Sequence, residues 1–257
     1  MRCAARWNGS GPTIMPKVAI VAALEREVIG LIKHSTRVER EYEGRKFTFF
    51  EQVEMVVVCG GIGMAAARRA AEAVMALYHP ALVQSVGFAG ALQPNLRVGD
   101  IFSPAAVLDA RDGSRQEIEG GNGVLLTFIA VAGTKQKAKL AEAYGAQAVD
   151  MEAAAVAAAA RARGIRFGAT KVISDNFDFE IPEMETSRFI DAQGHFKTAS
   201  FAIFVALRPW LWRRVAVLAS TSARAAKALG EHLKGFSHAP IDKPEAKITQ
   251  ISSNQHF

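Results

Sequence analysis

Cysteine is almost missing. Cys3 and Cys59 are the only two in 257 residues. Two thiols make neither a disulfide framework nor a four-ligand zinc site, and such usage fits a reducing compartment, so a cytoplasmic location is expected. Histidine is sparse and scattered: His34, His79, His195, His232, His238 and His256. No H-x-x-x-H or C-x-x-C spacing occurs, so no catalytic metal is expected. Neither G-x-S-x-G nor G-x-x-x-x-G-K-[ST] is present, which argues against Ser-His-Asp and P-loop hydrolysis. No apolar run reaches the roughly 20 residues of a membrane span, because Arg208, Pro209, Arg213 and Arg214 interrupt residues 200–219. The first residues carry Arg2 and Arg6 but no apolar stretch, so they are not read as a secretion signal.

What is present is globular. Half the residues are hydrophobic and 22% are charged, enough to bury a large core without staples. The formal charge is +6, and the basic residues are spread out. One local excess, Arg208, Arg213, Arg214, Arg224, Lys227 and Lys234 against Glu231, reads as a solvated helix face rather than a nucleic-acid site. No linker divides the chain, so one domain over residues 16–236 is expected. Residues 1–15 read as a loose extension, with Met15 as an alternative start, and residues 237–257 as a flexible tail.

Strand-like and helix-like stretches alternate. Residues 17–22 (KVAIVA), 46–51, 54–59 (EMVVVC), 81–86 and 167–173 read as strands, and a further strand is expected within 98–108. Residues 124–132 (VLLTFIAVA) read as a buried strand, and 109–123 as a polar loop. Helices are expected over 24–33, 64–78, 135–144 and from about 198 to 234 with a break at Pro209; residues 148–163 read as a helix or as a strand end running into one. Glycine turns are expected at 60–63 and 87–90. Strands apolar on both faces between helices predict an α/β domain whose sheet is covered on both sides. Ligands in such folds sit at strand carboxyl ends. The glycine turns, the acidic pair Asp150 and Glu152, and Ser174-Asp175 all follow strand-like runs, so one crevice can gather them.

Each candidate has a plain structural reading beside the chemical one. Gly61-Ile62-Gly63-Met64-Ala65-Ala66 fits G-x-G-x-x-A, but no acid follows the next strand, so a tight turn is favoured over nicotinamide binding. Glu25 and Glu27 open a helix, where acids suit the dipole. Asp150 and Glu152 lie among apolar residues: they either start a helix or present a carboxylate to paired hydroxyls such as those of ribose. Asp175 is either a turn former or a general acid.

Five motifs in order carry a resemblance: VAIVAALEREV, CGGIGMAAA, SVGFAGALQPNLRVGDI, AVDMEAAAVA and KVISD. Over residues 17–235 the chain resembles the nucleoside phosphorylase/nucleosidase family. It looks closest to the methylthioadenosine/S-adenosylhomocysteine nucleosidases and also looks like the hopanoid-associated phosphorylases. The resemblance implies a single-domain three-layer α/β/α sandwich with a central mixed sheet and a homo-oligomer, a dimer favoured. It implies cleavage of the bond between purine and ribose of a small-molecule nucleoside, without a cofactor. Carried over by position, Glu27 activates water, Asp175 protonates the departing base, Glu152 binds the ribose hydroxyls, Met151 packs on the sugar and Ser174 precedes the acid. Phe88, Ala89, Gly90 and Gly63 are the remaining implied substrate contacts, with Lys171 near the nucleophile.

Phe88 stands where the nucleosidases keep a serine, Lys171 where they keep an arginine, and the loop after Ala132-Gly133 is shorter. Two alternatives follow: phosphorolysis with phosphate as co-substrate, including of a hopanoid-linked nucleoside, and nucleoside binding without turnover. The segment 201–212 (FAIFVALRPWLW) reads as a packing helix in preference to a membrane-surface contact.

Overall fold

A computed structural model describes residues 16–179 and 209–236. The expected extension, the tail and the apolar segment up to Arg208 lie outside the described residues. The element order is β1 (Val18–Ala22), a 3-10 turn (Glu25–Glu27), α1 (Ile29–Ile32), β2 (Thr36–Tyr42), β3 (Arg45–Glu51), β4 (Met55–Cys59), α2 (Met64–Tyr78), β5 (Leu82–Ala91), β6 (Ile101–Phe102), β7 (Ala106–Asp109), β8 (Arg115–Glu117), β9 (Val124–Thr127), α3 (Thr134–Tyr144), β10 (Ala148–Asp150), α4 (Ala153–Ala162), β11 (Arg166–Asp175) and α5 (Pro209–Phe236). The described strands form one mixed sheet in the order β2-β3-β4-β1-β5-β10-β9-β7-β8, with β11 on β5 and β6 on β11.

Alternation along the strands divides the core between two helical layers. Ala19, Val21, Val56 and Val58 face α2 and α4, where they meet Ala67, Ala70, Val74, Val156 and Ala160. Ile20, Ala22, Val57 and Val172 face the other side, against Leu31 of α1 and Ala225, Leu229 and Leu233 of α5. Leu140 of α3 covers Leu126 and Val149. Small residues permit close approach. A Cβ on Gly30 would lie 3.2 Å from the Cα of Gly230, so α1 and α5 cross backbone against backbone.

β5 organises the sheet. Its residues Leu82–Ser85 pair in parallel with β1, and Gly90 and Ala91 pair antiparallel with β10. β11 pairs with β5 from Leu82 to Gly90. A strand has two edges, so β1 and β10 share the edge opposite β11. Their carboxyl ends point at each other across a gap alongside Val86–Ala89.

Four expectations change. The polar loop read over 109–123 contains β8, which pairs antiparallel with β7. Residues 87–90 are not a turn, because β11 continues the ladder past them. The strand read over 124–132 stops at Thr127. Ile129 and Val131 are exposed, and the chain leaves the sheet to enter α3. The helix read over 24–33 is one 3-10 turn and one α turn, divided at Val28. The stretch 148–163, left open between helix and strand, is β10 running into α4.

Candidate active site

The gap beside β5 opens into a cavity of about 870 Å³. Glu27, Phe88, Ala89, Gly90, Met151, Glu152, Ser174 and Asp175 all line it. Gly63 and Lys171, the other two residues singled out from sequence, do not: they stand behind its carboxylates.

Glu27 follows β1 on the 3-10 turn and is 6% exposed. Its Oε2 is buried with no hydrogen-bond partner. Burial first, then the charge of Glu152, pushes Glu27 up to about 8, while Lys171 and Arg26 act in the opposite direction. The carboxyl therefore holds its proton at neutral pH. A Cβ on Gly87 would sit 2.6 Å from Glu27 Oε2, and Gly87 has a φ of +154°, so only glycine admits the carboxyl here.

Glu152 follows β10. Its Oε1 accepts from the N–H of Gly63 at 2.8 Å, and its Oε2 accepts from that of Met151 at 3.2 Å. Burial and the nearby Asp150 push it up to about 7 despite Lys171 and those two N–H groups. The G-x-G turn thus serves as a bracket for a carboxylate, not as a cradle for phosphate. Asp150 is structural. It accepts from Thr127 Oγ1 at 2.6 Å and from the N–H of Ala153, the first residue of α4, at 2.9 Å. Lys171 Nζ lies 2.8 Å from Asp150 Oδ2 and donates to Ser85 Oγ at 3.1 Å. Burial alone would depress this ammonium, but Asp150, Glu152 and Glu27 outweigh it and hold it above its ordinary value. One lysine among three carboxylates leaves them under-neutralised, so Glu27 and Glu152 are both held above the ordinary carboxylate range.

Asp175 ends β11 at a register shift, where Ser174 and Asp175 oppose one step of β5. Such a bulge re-aims side chains, and here both residues reach the cavity. Ser174 Oγ donates to Asp175 Oδ1 at 2.7 Å. Asp175 Oδ2 forms an ion pair with Lys137 Nζ, and Lys137 also donates to the carbonyl of Asn176 at 2.6 Å. Among the described residues, no histidine, cysteine and carboxylate side chains are grouped in threes as a metal site requires. Among the described residues, no helix is long and apolar enough to cross a membrane.

Sequence reasoning missed Lys137, Arg26 and the wall that α5 gives the cavity. Lys137 carried a signal: it lies three residues before Leu140, on the buried face of α3. The α5 wall, with Val215, Leu218 and Ala226, follows from tertiary packing alone.

Converging strand ends of a mixed α/β sheet, with acidic side chains gathered there, are the place where such folds bind small-molecule ligands. The chain belongs to the phosphorylase superfamily, whose family model matches residues 17–130 and 124–207. It is accordingly an enzyme of the nucleosidase or nucleoside phosphorylase kind. Its structure is similar to a methylthioadenosine/S-adenosylhomocysteine nucleosidase of Colwellia psychrerythraea in complex with adenine, with 22% identity, a TM-score of 0.55, and coverage of 64% of this chain and 85% of that one. It is similar to the futalosine hydrolase of Helicobacter pylori, with 17% identity, a TM-score of 0.61 and coverage of 86% and 98%. It is also similar to the methylthioadenosine nucleosidase of Arabidopsis thaliana, with 17% identity, a TM-score of 0.64 and coverage of 88% and 98%. These likenesses concern the fold. No curated protein matches the sequence.

Proposed function

We propose that the protein hydrolyses the N-glycosidic bond of a purine nucleoside of the adenosine type that is modified at its 5′ end. The observation that carries this reading is the meeting of Glu27, Glu152 and Asp175, from three distant stretches of chain, around one cavity. As the bond to the base lengthens, positive charge grows on the sugar and negative charge on the base. Asp175 stands on the side that hands the base its proton. Glu152 accepts hydrogen bonds from the ribose hydroxyls and stabilises the cation. Glu27, once ionised, takes a proton from the attacking water. Met151 and Phe88 line the sugar's surroundings. Away from the carboxylates the wall is mainly apolar, with Ile29, Ile62, Val131, Val215 and Leu218, although Lys33, Lys227, Glu231 and Lys234 also line it. That supports an apolar 5′ substituent, a hopanoid-linked nucleoside included.

A second reading has its own support. A protonated Glu27 does not repel a phosphate dianion, and Arg26 lines the cavity beside it. Both favour phosphorolysis. Lys171, the other cation considered for an anion, is engaged by Asp150 and Ser85. Under either reading the protein works without a cofactor, as a homodimer of the cytoplasm; light scattering of the purified protein tests the dimer.

The test of function is product analysis. Purified protein is incubated with methylthioadenosine, S-adenosylhomocysteine, inosine and adenosylhopane, each with and without phosphate. Free ribose products are expected under both conditions. Ribose 1-phosphate products formed only with phosphate would establish phosphorolysis instead. No base release from any of them would overturn both.

A further inference from the structure

Lys137 has no part in the mechanism above, yet its burial needs a reason. It is 1% exposed and sits in the first turn of α3. A cation there is disfavoured twice, by lost hydration and by the positive end of the helix dipole. Its ammonium makes two hydrogen bonds, to Asp175 Oδ2 and to the carbonyl of Asn176. An ammonium has three donors, and Lys137 lines the cavity. Gly90 makes the approach feasible: a Cβ there would lie 2.9 Å from Asp175 Oδ2 and 3.4 Å from Lys137 Cε. In this resting ion pair the available proton is on nitrogen, whereas the proposed reaction asks Asp175 to give a proton away.

We propose that Lys137 is the source of the proton taken up by the leaving base, relayed through Asp175. This rests on the glycosidic-cleavage reading. The electron pair of the broken C1′–N bond stays on the base. Asp175 Oδ2 first takes a proton from Lys137 Nζ and then passes that same proton to a base nitrogen. Lys137 ends as a neutral amine and Asp175 as the carboxylate it was before. Water reprotonates the amine after the base departs.

Leaving-group dependence tests the relay. In Lys137→Met, kcat on the purine nucleoside cleaved by the wild type should fall by about 100-fold or more with KM little changed. Cleavage of a 4-nitrophenyl riboside, whose leaving group needs no proton, should stay close to wild type. Lys137→Arg keeps the charge but cannot release the proton, so it should be as slow as Lys137→Met on the nucleoside. The double variant Lys137→Met/Asp175→Asn leaves no unpaired buried charge; it should fold with the wild-type far-UV circular dichroism and lose no more nucleoside turnover than Lys137→Met alone. Full nucleoside activity in Lys137→Arg would reduce Lys137 to an electrostatic support. Equal losses on both substrates, or unchanged nucleoside cleavage in Lys137→Met, would also overturn the relay. A wild type that releases no base from any nucleoside overturns the functional reading itself, and the relay with it.

Discussion

Asp175 and Glu27 are held in opposite ways. Asp175 has a buried cation and a hydroxyl on its two oxygens, whereas one oxygen of Glu27 is buried with no hydrogen-bond partner. Asp175→Asn keeps the shape but carries no transferable proton, so turnover should drop at least ~100-fold while nucleoside binding, measured by calorimetry, persists. Glu27 acts as a base only when ionised, so the wild-type rate of hydrolysis should climb with pH through about 8. The same group ties stability to pH. Between its ordinary 4.5 and about 8, the folded protein keeps a proton that the unfolded chain has released, so the native state loses stability as pH rises through that window. Glu27→Gln abolishes this titration. Its melting temperature should gain on wild type from about pH 5 to about pH 9, a difference on the order of a few kcal/mol. Parallel melting curves across that range would contradict the assignment.

At the scale of elements, β5 joins backbone to chemistry. Gly87 clears room for Glu27, and Gly90 clears room for Asp175 and Lys137. Gly90→Ala should displace the Asp175 carboxyl by a fraction of an ångström or more and lower kcat on the order of 100-fold, with far-UV circular dichroism unchanged. These glycines also show where sequence reading succeeds and fails. β1, β4 and α2 were legible because apolar spacing alone sets strand and helix periods. Glycine at 87–90 was misread as turn punctuation, because its reason lies in carboxylates brought from elsewhere by folding. β2 passed unnoticed because its charged residues Arg37, Glu39, Arg40 and Glu41 give little apolar alternation. The roles of Glu27, Glu152 and Asp175 were expected from ordered motifs, and the fold brings all three to the cavity. Lys137 shares the buried spacing of Leu140 on α3, but nothing in the sequence joins it to Asp175, 38 residues away.

Over the whole molecule, the cavity joins two environments. The sheet side supplies the buried carboxylates, and the first half of the α5 wall supplies the apolar Val215, Leu218 and Ala219, with Lys227, Glu231 and Lys234 further along. Their separation predicts separable effects. Leu218→Asp should raise KM for a nucleoside with an apolar 5′ group by about 10- to 100-fold. It should leave inosine, which ends in a hydroxyl, nearly unaffected. Equal effects on both substrates would place the 5′ group elsewhere. The close crossing of Gly30 and Gly230 matters at this scale too, since a methyl on Gly30, 3.2 Å from the Gly230 Cα, would push α5 outward by a few tenths of an ångström.

The pairing of β5 has one more consequence. The gap that would take the sugar under the proposed function lies between the last step shared with β1, at Ser85, and the first step shared with β10, at Gly90. At about 3.3 Å per residue that interval is roughly 16 Å. Its width is therefore counted out in main-chain units and is indifferent to the loops around the rim. Evolution can exchange rim and helix wall to suit new 5′ groups while the furanose keeps one berth. Lengthening β5 by two residues would widen that berth by roughly 7 Å and pull its acids out of common reach.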